Sequence, residues 1–184
     1  MKRKTYKGLT FRPFIERETI NEQVSRLGQR ISADYAGEYP LLICVLNGAA
    51  PFAVDLFRAL DIDAEITFIR LKSYEGTGAT GTVKQIMGLN EDLTGRHVII
   101  VEDIIDTGRT MKRLQADIEA MNPASVRIAT LLFKPEALEV QIEPDYVGFE
   151  IPKKFIIGYG LDIDGMARNL NEIYVLDEQA DSQA

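Results

Sequence analysis

The sequence predicts an α/β fold, an open and mostly parallel sheet flanked by helices. Short apolar runs recur along the chain. They are Leu41-Leu42-Ile43-Cys44-Val45-Leu46, Ile66-Thr67-Phe68-Ile69, Val98-Ile99-Ile100-Val101, Val126-Arg127-Ile128-Ala129-Thr130-Leu131-Leu132 and Phe155-Ile156-Ile157-Gly158. Their apolarity is continuous rather than alternating, the pattern of strands covered on both faces. Between and before these runs lie stretches with helical spacing. Ile20, Val24, Leu27 and Ile31 form one stripe, and Val54, Phe57 and Ala59-Leu60 fit a short helix after Pro51. Met111, Leu114, Ile118 and Met121 form a third stripe, which Asn122-Pro123 closes. Ligands in such sheets sit outside the carboxyl ends of the strands.

At 184 residues the chain suits a single domain, 1–184. An apolar fraction of 46% excludes wholesale disorder. No apolar run approaches the ~20 residues of a membrane helix. The basic start, Met1-Lys2-Arg3-Lys4-Thr5-Tyr6, is followed by no apolar segment of the signal-peptide kind. Cys44 is the only cysteine and cannot form an internal disulfide, so a cytoplasmic location is expected. The net charge of −7 argues against nucleic-acid binding. It leaves room for a small phosphorylated ligand held by a few donors and a metal ion. The end of the chain, from Asp177 to Ala184, reads as a frayed polar tail.

One segment carries the chemistry. The strand Val98-Ile99-Ile100-Val101 runs into Glu102-Asp103, then Ile104-Ile105-Asp106-Thr107-Gly108-Arg109-Thr110, and a helix follows from Met111. Such a loop and helix start offer backbone N–H groups, two hydroxyls and the positive end of the helix dipole, which suit a phosphate. The acids cannot bind phosphate directly. They suit ribose hydroxyls or a hard cation such as Mg²⁺. Acids beside an anion cradle read as a sugar-phosphate site. Taken singly, each residue also fits a solvated strand end or an ordinary helix cap.

This segment resembles the phosphoribosyl pyrophosphate (PRPP) signature of the type I phosphoribosyltransferases. The resemblance extends over nearly the whole chain and is similar in spacing to the 6-oxopurine enzymes at Phe155-Ile156-Ile157-Gly158-Tyr159-Gly160-Leu161-Asp162. It implies a small hood formed by the N- and C-terminal segments, about 1–34 and 151–178, over a core of about 35–150. It implies that Glu102 and Asp103 contact the ribose, with Asp106, Thr107, Gly108, Arg109 and Thr110 around the 5′-phosphate and Asp106 as general acid/base near purine N7. Lys134 is implied at the 6-oxo group and Phe155 stacked on the base. The backbones of Ile156 and Asp162 would face the base edge. Asn47, Gly48 and Arg168 are implied at pyrophosphate, and Ser73-Tyr74 on a loop that closes over the site. Glu102, Asp103 and Asp162 would support Mg²⁺. The implied reaction is Mg²⁺-dependent transfer of ribose 5-phosphate from PRPP to N9 of hypoxanthine or guanine, giving a purine nucleoside monophosphate and pyrophosphate, in a homodimer or homotetramer. Two departures stand out. Asn47 occupies a position where the family often has lysine, and Pro135-Glu136 follows Lys134 where many relatives carry a second basic residue. A preference for xanthine, or a PRPP-sensing regulator without catalysis, are the alternatives.

Other signals are weaker. Gly76-Thr77-Gly78-Ala79-Thr80-Gly81 has dinucleotide-binding spacing, but no helix pattern follows, so a lid loop is expected. Asp162-Ile163-Asp164-Gly165 lacks the distal glutamate of a calcium loop, since Ile173 stands there. His97 has no partner ligand nearby and reads as structural. Cys44 lies within an apolar strand and reads as core. Without the family pattern, Lys134 would read as a solvated lysine and Phe155 as core.

Overall fold

A computed structural model of the chain describes residues 2–74 and 83–178. Its centre is a six-stranded sheet, and the apolar runs supply its middle. These strands are β3 (Leu41–Val45), β4 (Glu65–Tyr74), β6 (His97–Ile105), β7 (Ser125–Phe133) and β8 (Tyr146–Glu150), with β5 (Val83–Met87) at one edge. The order is β5-β4-β3-β6-β7-β8, parallel throughout except for β5, which runs antiparallel to β4.

Continuous apolarity has the expected cause. Leu42, Cys44, Ile99 and Val101 face one side, where they pack with α1 (Arg17–Asp34) and α2 (Ala50–Arg58). Leu41, Ile43, Val98 and Ile100 face the other, against Met111, Leu114 and Ile118 of α3 (Arg109–Glu119). Each such side chain contributes about 1.5–3 kcal/mol on burial. Truncating one to alanine, as in Leu42→Ala, costs about 2–5 kcal/mol. The stripe Ile20, Val24, Leu27 and Ile31 is the buried face of α1.

The second sheet is antiparallel, with order β1-β2-β10-β9. It joins β1 (Lys4–Tyr6) and β2 (Leu9–Ile15) to β9 (Ile156–Ile157) and β10 (Ile173–Leu176), so both ends of the chain build the hood.

Several local expectations are corrected. The run Phe155–Gly158 is not a strand of the main sheet. Only Ile156–Ile157 is extended, paired antiparallel to β10 in the hood, because positive φ at Gly158, Tyr159 and Gly160 turns the chain away. Helix α2 starts at Ala50, with Pro51 in its first turn, where no N–H is needed. It buries Phe52, Ala53 and Leu56 and leaves Val54 exposed. Met121 lies beyond the end of α3 and is exposed, since the chain turns left-handed at Asn122. Strands β1, β2, β5, β8 and β10 had no counterpart among the apolar runs. Among the described residues no helix is long and apolar enough to cross a membrane.

Candidate active site

The crevice begins where the chain order of the sheet reverses, between β3 and β6. Strand β3 ends at Val45, one residue past its last pairing with β6 at Cys44↔Val101. Strand β6 continues to Ile105, paired only with β7. One edge of β6 from Glu102 onward is therefore left by its neighbour, which opens a cleft at the strands' carboxyl ends.

The loop after β6 lines a cleft of about 140 Å³ with Glu102, Asp106, Thr107, Gly108 and Thr110. Gly108 caps α3 with φ +78°, and a β-carbon there would lie 2.8 Å from Ile142 Cγ2. Both the left-handed backbone and the close approach demand glycine. The segment packed behind the loop is tied to it twice. The Glu139 N–H donates to the Thr107 carbonyl at 3.0 Å, and the Glu139 carboxylate pairs with Arg109 at 2.5 Å. Nothing in the sequence pattern marks Glu139, since its partner lies thirty positions away.

Glu102 and Asp103 stand on β6 beside this loop. The Ile104 N–H donates to Asp103 Oδ1 at 2.8 Å, which fixes one carboxylate oxygen. Facing Asp103 is the turn after β3, where the Leu46–Asn47 peptide is cis. A β-carbon at Gly48 would fall 1.6 Å from Asp103 Oδ2, so only glycine allows the carboxylate this place. Asn47 Oδ1 accepts from Arg70 Nη2 at 2.7 Å. The guanidinium of Arg70 thus stands beside the position where the family often has a lysine, a neighbour that sequence reading did not single out.

The hood closes the crevice from the other side. Gly160 touches the Gly48 carbonyl so closely that a β-carbon there would lie 1.9 Å from the oxygen. Arg168 Nη1 donates to the Gly160 carbonyl at 2.7 Å, and Arg168 Nη2 pairs with Asp162 Oδ1 at 2.7 Å. The other Asp162 oxygen accepts the Gly165 N–H at 2.7 Å. Phe155 is 46% exposed, with its ring 5.9 Å from that of Phe11 and tilted by 51°. Ile156 is buried beside it and pairs with Val175.

Lys134 leaves the end of β7. Its side chain is buried, and Nζ lies 2.9 Å from Asp106 Oδ2. A buried ammonium requires a partner of this kind. Ser73 and Tyr74 end β4, and the stretch Gly76–Gly81 falls outside the described residues. His97 bonds through Nδ1 to Ser125 Oγ at 2.8 Å, at the far end of the sheet from the cleft. Cys44 is fully buried, and burial, reinforced by the charges of Glu102 and Asp103, pushes its thiol up to about 12. It is no nucleophile at neutral pH.

No group of three or more His, Cys, Asp or Glu side chains among the described residues could hold a metal ion. The adjacent carboxylates of Glu102 and Asp103 fit Mg²⁺ all the same, because this ion commonly takes one or two carboxylates and completes its shell with water and substrate oxygens.

Comparison with known proteins identifies the family. Residues 16–164 match the phosphoribosyl transferase domain, and the chain belongs to that family. It is 43% identical over 166 residues to the hypoxanthine-guanine phosphoribosyltransferase of Streptococcus pneumoniae, covering 90% of this chain and 92% of that one. It is 45% identical over 163 residues to the enzyme of the same name from Streptococcus thermophilus, covering 88% and 91%. A crystal structure of a hypoxanthine-guanine phosphoribosyltransferase from Bacillus anthracis superposes with a TM-score of 0.81 at 39% identity, covering 90% of this chain and 96% of that one.

Proposed function

We propose that this chain is a purine-salvage enzyme that transfers the ribose 5-phosphate of PRPP to N9 of hypoxanthine or guanine, releasing pyrophosphate and the purine nucleoside monophosphate. The observation that carries this reading is the placing of Lys134 against Asp106 at the edge of the phosphate loop. It supports reading Lys134 as a base-recognising donor and Asp106 as a proton acceptor beside a sugar-phosphate cradle.

Each part has a task. The loop from Asp106 to Thr110 holds the 5′-phosphate through backbone N–H groups and two hydroxyls. Glu102 and Asp103 accept from the ribose hydroxyls. Phe155 stacks on the base, whose edge meets the backbones of Ile156 and Asp162. Lys134 has donors only, so it matches the carbonyl at C6 and rejects the amino group of adenine. As N9 attacks C1′, Asp106 accepts the N7 proton. Gly48 offers its backbone to pyrophosphate, with Asn47 and Arg168 beside it. Ser73 and Tyr74, at the end of β4, are assigned to closing the site against water, which would otherwise hydrolyse PRPP. Glu102 and Asp103 would hold Mg²⁺, with Asp162 supporting a second ion, and the metal would supply compensation for the charge on the departing pyrophosphate. The core of about 35–150 carries the phosphate side, and the hood of about 1–34 and 151–178 covers the base. The family likeness supports a cytoplasmic homodimer or homotetramer.

The test is formation of inosine monophosphate from hypoxanthine, PRPP and Mg²⁺, run in parallel with guanine, xanthine and adenine. Efficient turnover of hypoxanthine or guanine and almost none of adenine is expected. A folded protein that forms no nucleotide from any of the four refutes the assignment.

A further inference from the structure

We infer that Glu139 is a positioning residue that acts through Arg109 to weaken the grip on the 5′-phosphate, and so sets how readily the nucleotide product leaves. This rests on the reading of the 106–110 loop as the phosphate cradle.

Arg109 is the only cation within that loop, and it opens α3. Its Nε lies 2.5 Å from Glu139 Oε2. The carboxylate is not placed there by chance rotamer alone. The Glu139 backbone N–H is bonded to the Thr107 carbonyl, and Leu138, Val140 and Ile142 crowd Gly108. The segment is thus splinted to the loop on both sides of Glu139, which holds one negative charge against the cradle.

That charge has two consequences for a phosphate dianion. It occupies the guanidinium that would otherwise add its field to the helix dipole, and it repels the dianion directly. The 5′-phosphate is present in PRPP and in the nucleotide product alike. A contact equally strong before, during and after reaction lowers KM without raising kcat, and a grip too tight slows product release. An acid beside the loop loosens substrate and product together. Free base and pyrophosphate, which lack this phosphate, do not feel it.

The experiment is calorimetric titration of inosine monophosphate, inosine and pyrophosphate–Mg²⁺ into wild type, Glu139→Gln, Arg109→Gln and the double variant. The Glu139 side chain is 47% exposed, so the isosteric amide leaves packing intact. Glu139→Gln should bind inosine monophosphate roughly two- to tenfold more tightly, with the gain larger at low salt. Binding of inosine and pyrophosphate should stay as in wild type. In the Arg109→Gln background the gain should shrink by half or more, as expected if Glu139 works largely through Arg109. Unchanged or weaker binding of inosine monophosphate in Glu139→Gln overturns the inference, as does an equal gain for inosine or an undiminished gain without Arg109. If wild type itself binds neither inosine monophosphate nor PRPP, it is the phosphate-cradle reading that fails instead.

Discussion

Nζ of Lys134 and Oδ2 of Asp106 lie 2.9 Å apart, so the residue proposed for the purine 6-oxo group and the residue proposed for N7 are paired directly. They follow the ends of adjacent parallel strands, β7 and β6, where the Lys134 N–H also donates to the Ile105 carbonyl at 3.0 Å. In the proposed reaction a 6-oxopurine would bring Lys134 a second acceptor and Asp106 a proton.

Lys134→Ala should therefore damage base recognition and leave PRPP alone. A charge-assisted hydrogen bond is worth about 1.5–3 kcal/mol, which corresponds to a loss of roughly 10- to 160-fold in kcat/KM for hypoxanthine. KM for PRPP should change little, and Lys134→Gln should fall in between. Wild-type kcat/KM for hypoxanthine in the alanine variant contradicts the assignment.

Asp106→Asn keeps the size and most of the hydrogen bonding but removes the proton acceptor. Turnover should drop by about 10²–10⁴, with a much smaller change in PRPP affinity. Steady-state kinetics on both substrates separates the two. A fall in turnover of less than about threefold makes Asp106 a member of the phosphate loop only.

Gly48→Ala tests the other wall of the crevice. The new methyl group would collide with Asp103 Oδ2, so the carboxylate must swing away. If Asp103 holds the ribose, apparent affinity for PRPP in the presence of Mg²⁺ should weaken by about tenfold or more, the value of one hydrogen bond to a charged group. Unchanged affinity in a folded variant would show that Asp103 has another role.

The buried thiol predicts a particular response to alkali. The folded-state value of Cys44, about 12, lies above that of an unfolded cysteine near 8.5. Above the lower value the unfolded chain releases a proton that the folded chain keeps, so unfolding becomes easier as pH rises towards 12. The slope from this one group reaches about 1.4 kcal/mol per pH unit at most. Buried Tyr146 and Tyr159, also raised by burial, add to it above pH ~10. Urea unfolding at pH 8 and pH 10 should show a clearly smaller loss for Cys44→Ala than for wild type, and equal losses would count against the assignment.

The central sheet was legible because burial on two faces leaves a direct mark. Leu41 to Val45 and Val98 to Val101 are apolar at every position, and the structure covers both sides. The strand-loop-helix unit after Val98 was legible because an apolar run ends in an acid pair and Thr107-Gly108 precedes a helical stripe, and β6 and α3 meet there. The hood left a weaker mark. Strand β2 alternates, with Pro13 within it, and does not read as a core strand, while Phe155-Ile156-Ile157-Gly158 reads as one and holds only the two residues of β9. Val54 and Met121 misled because apolar spacing alone does not fix which side of a short helix is buried or where the helix stops. The neighbours Arg70 and Glu139 were invisible for a different reason. Their partners, Asn47 and Arg109, are close only after the strands have been stacked in order.

The contact of Gly160 with the Gly48 carbonyl joins the two sheets backbone to backbone, with no side chain between them. At Gly160 a larger residue would drive into main-chain atoms, which no rotamer change can relieve. The seat of the hood on the core is therefore set at this point by main-chain atoms, whatever side chains line the crevice around it.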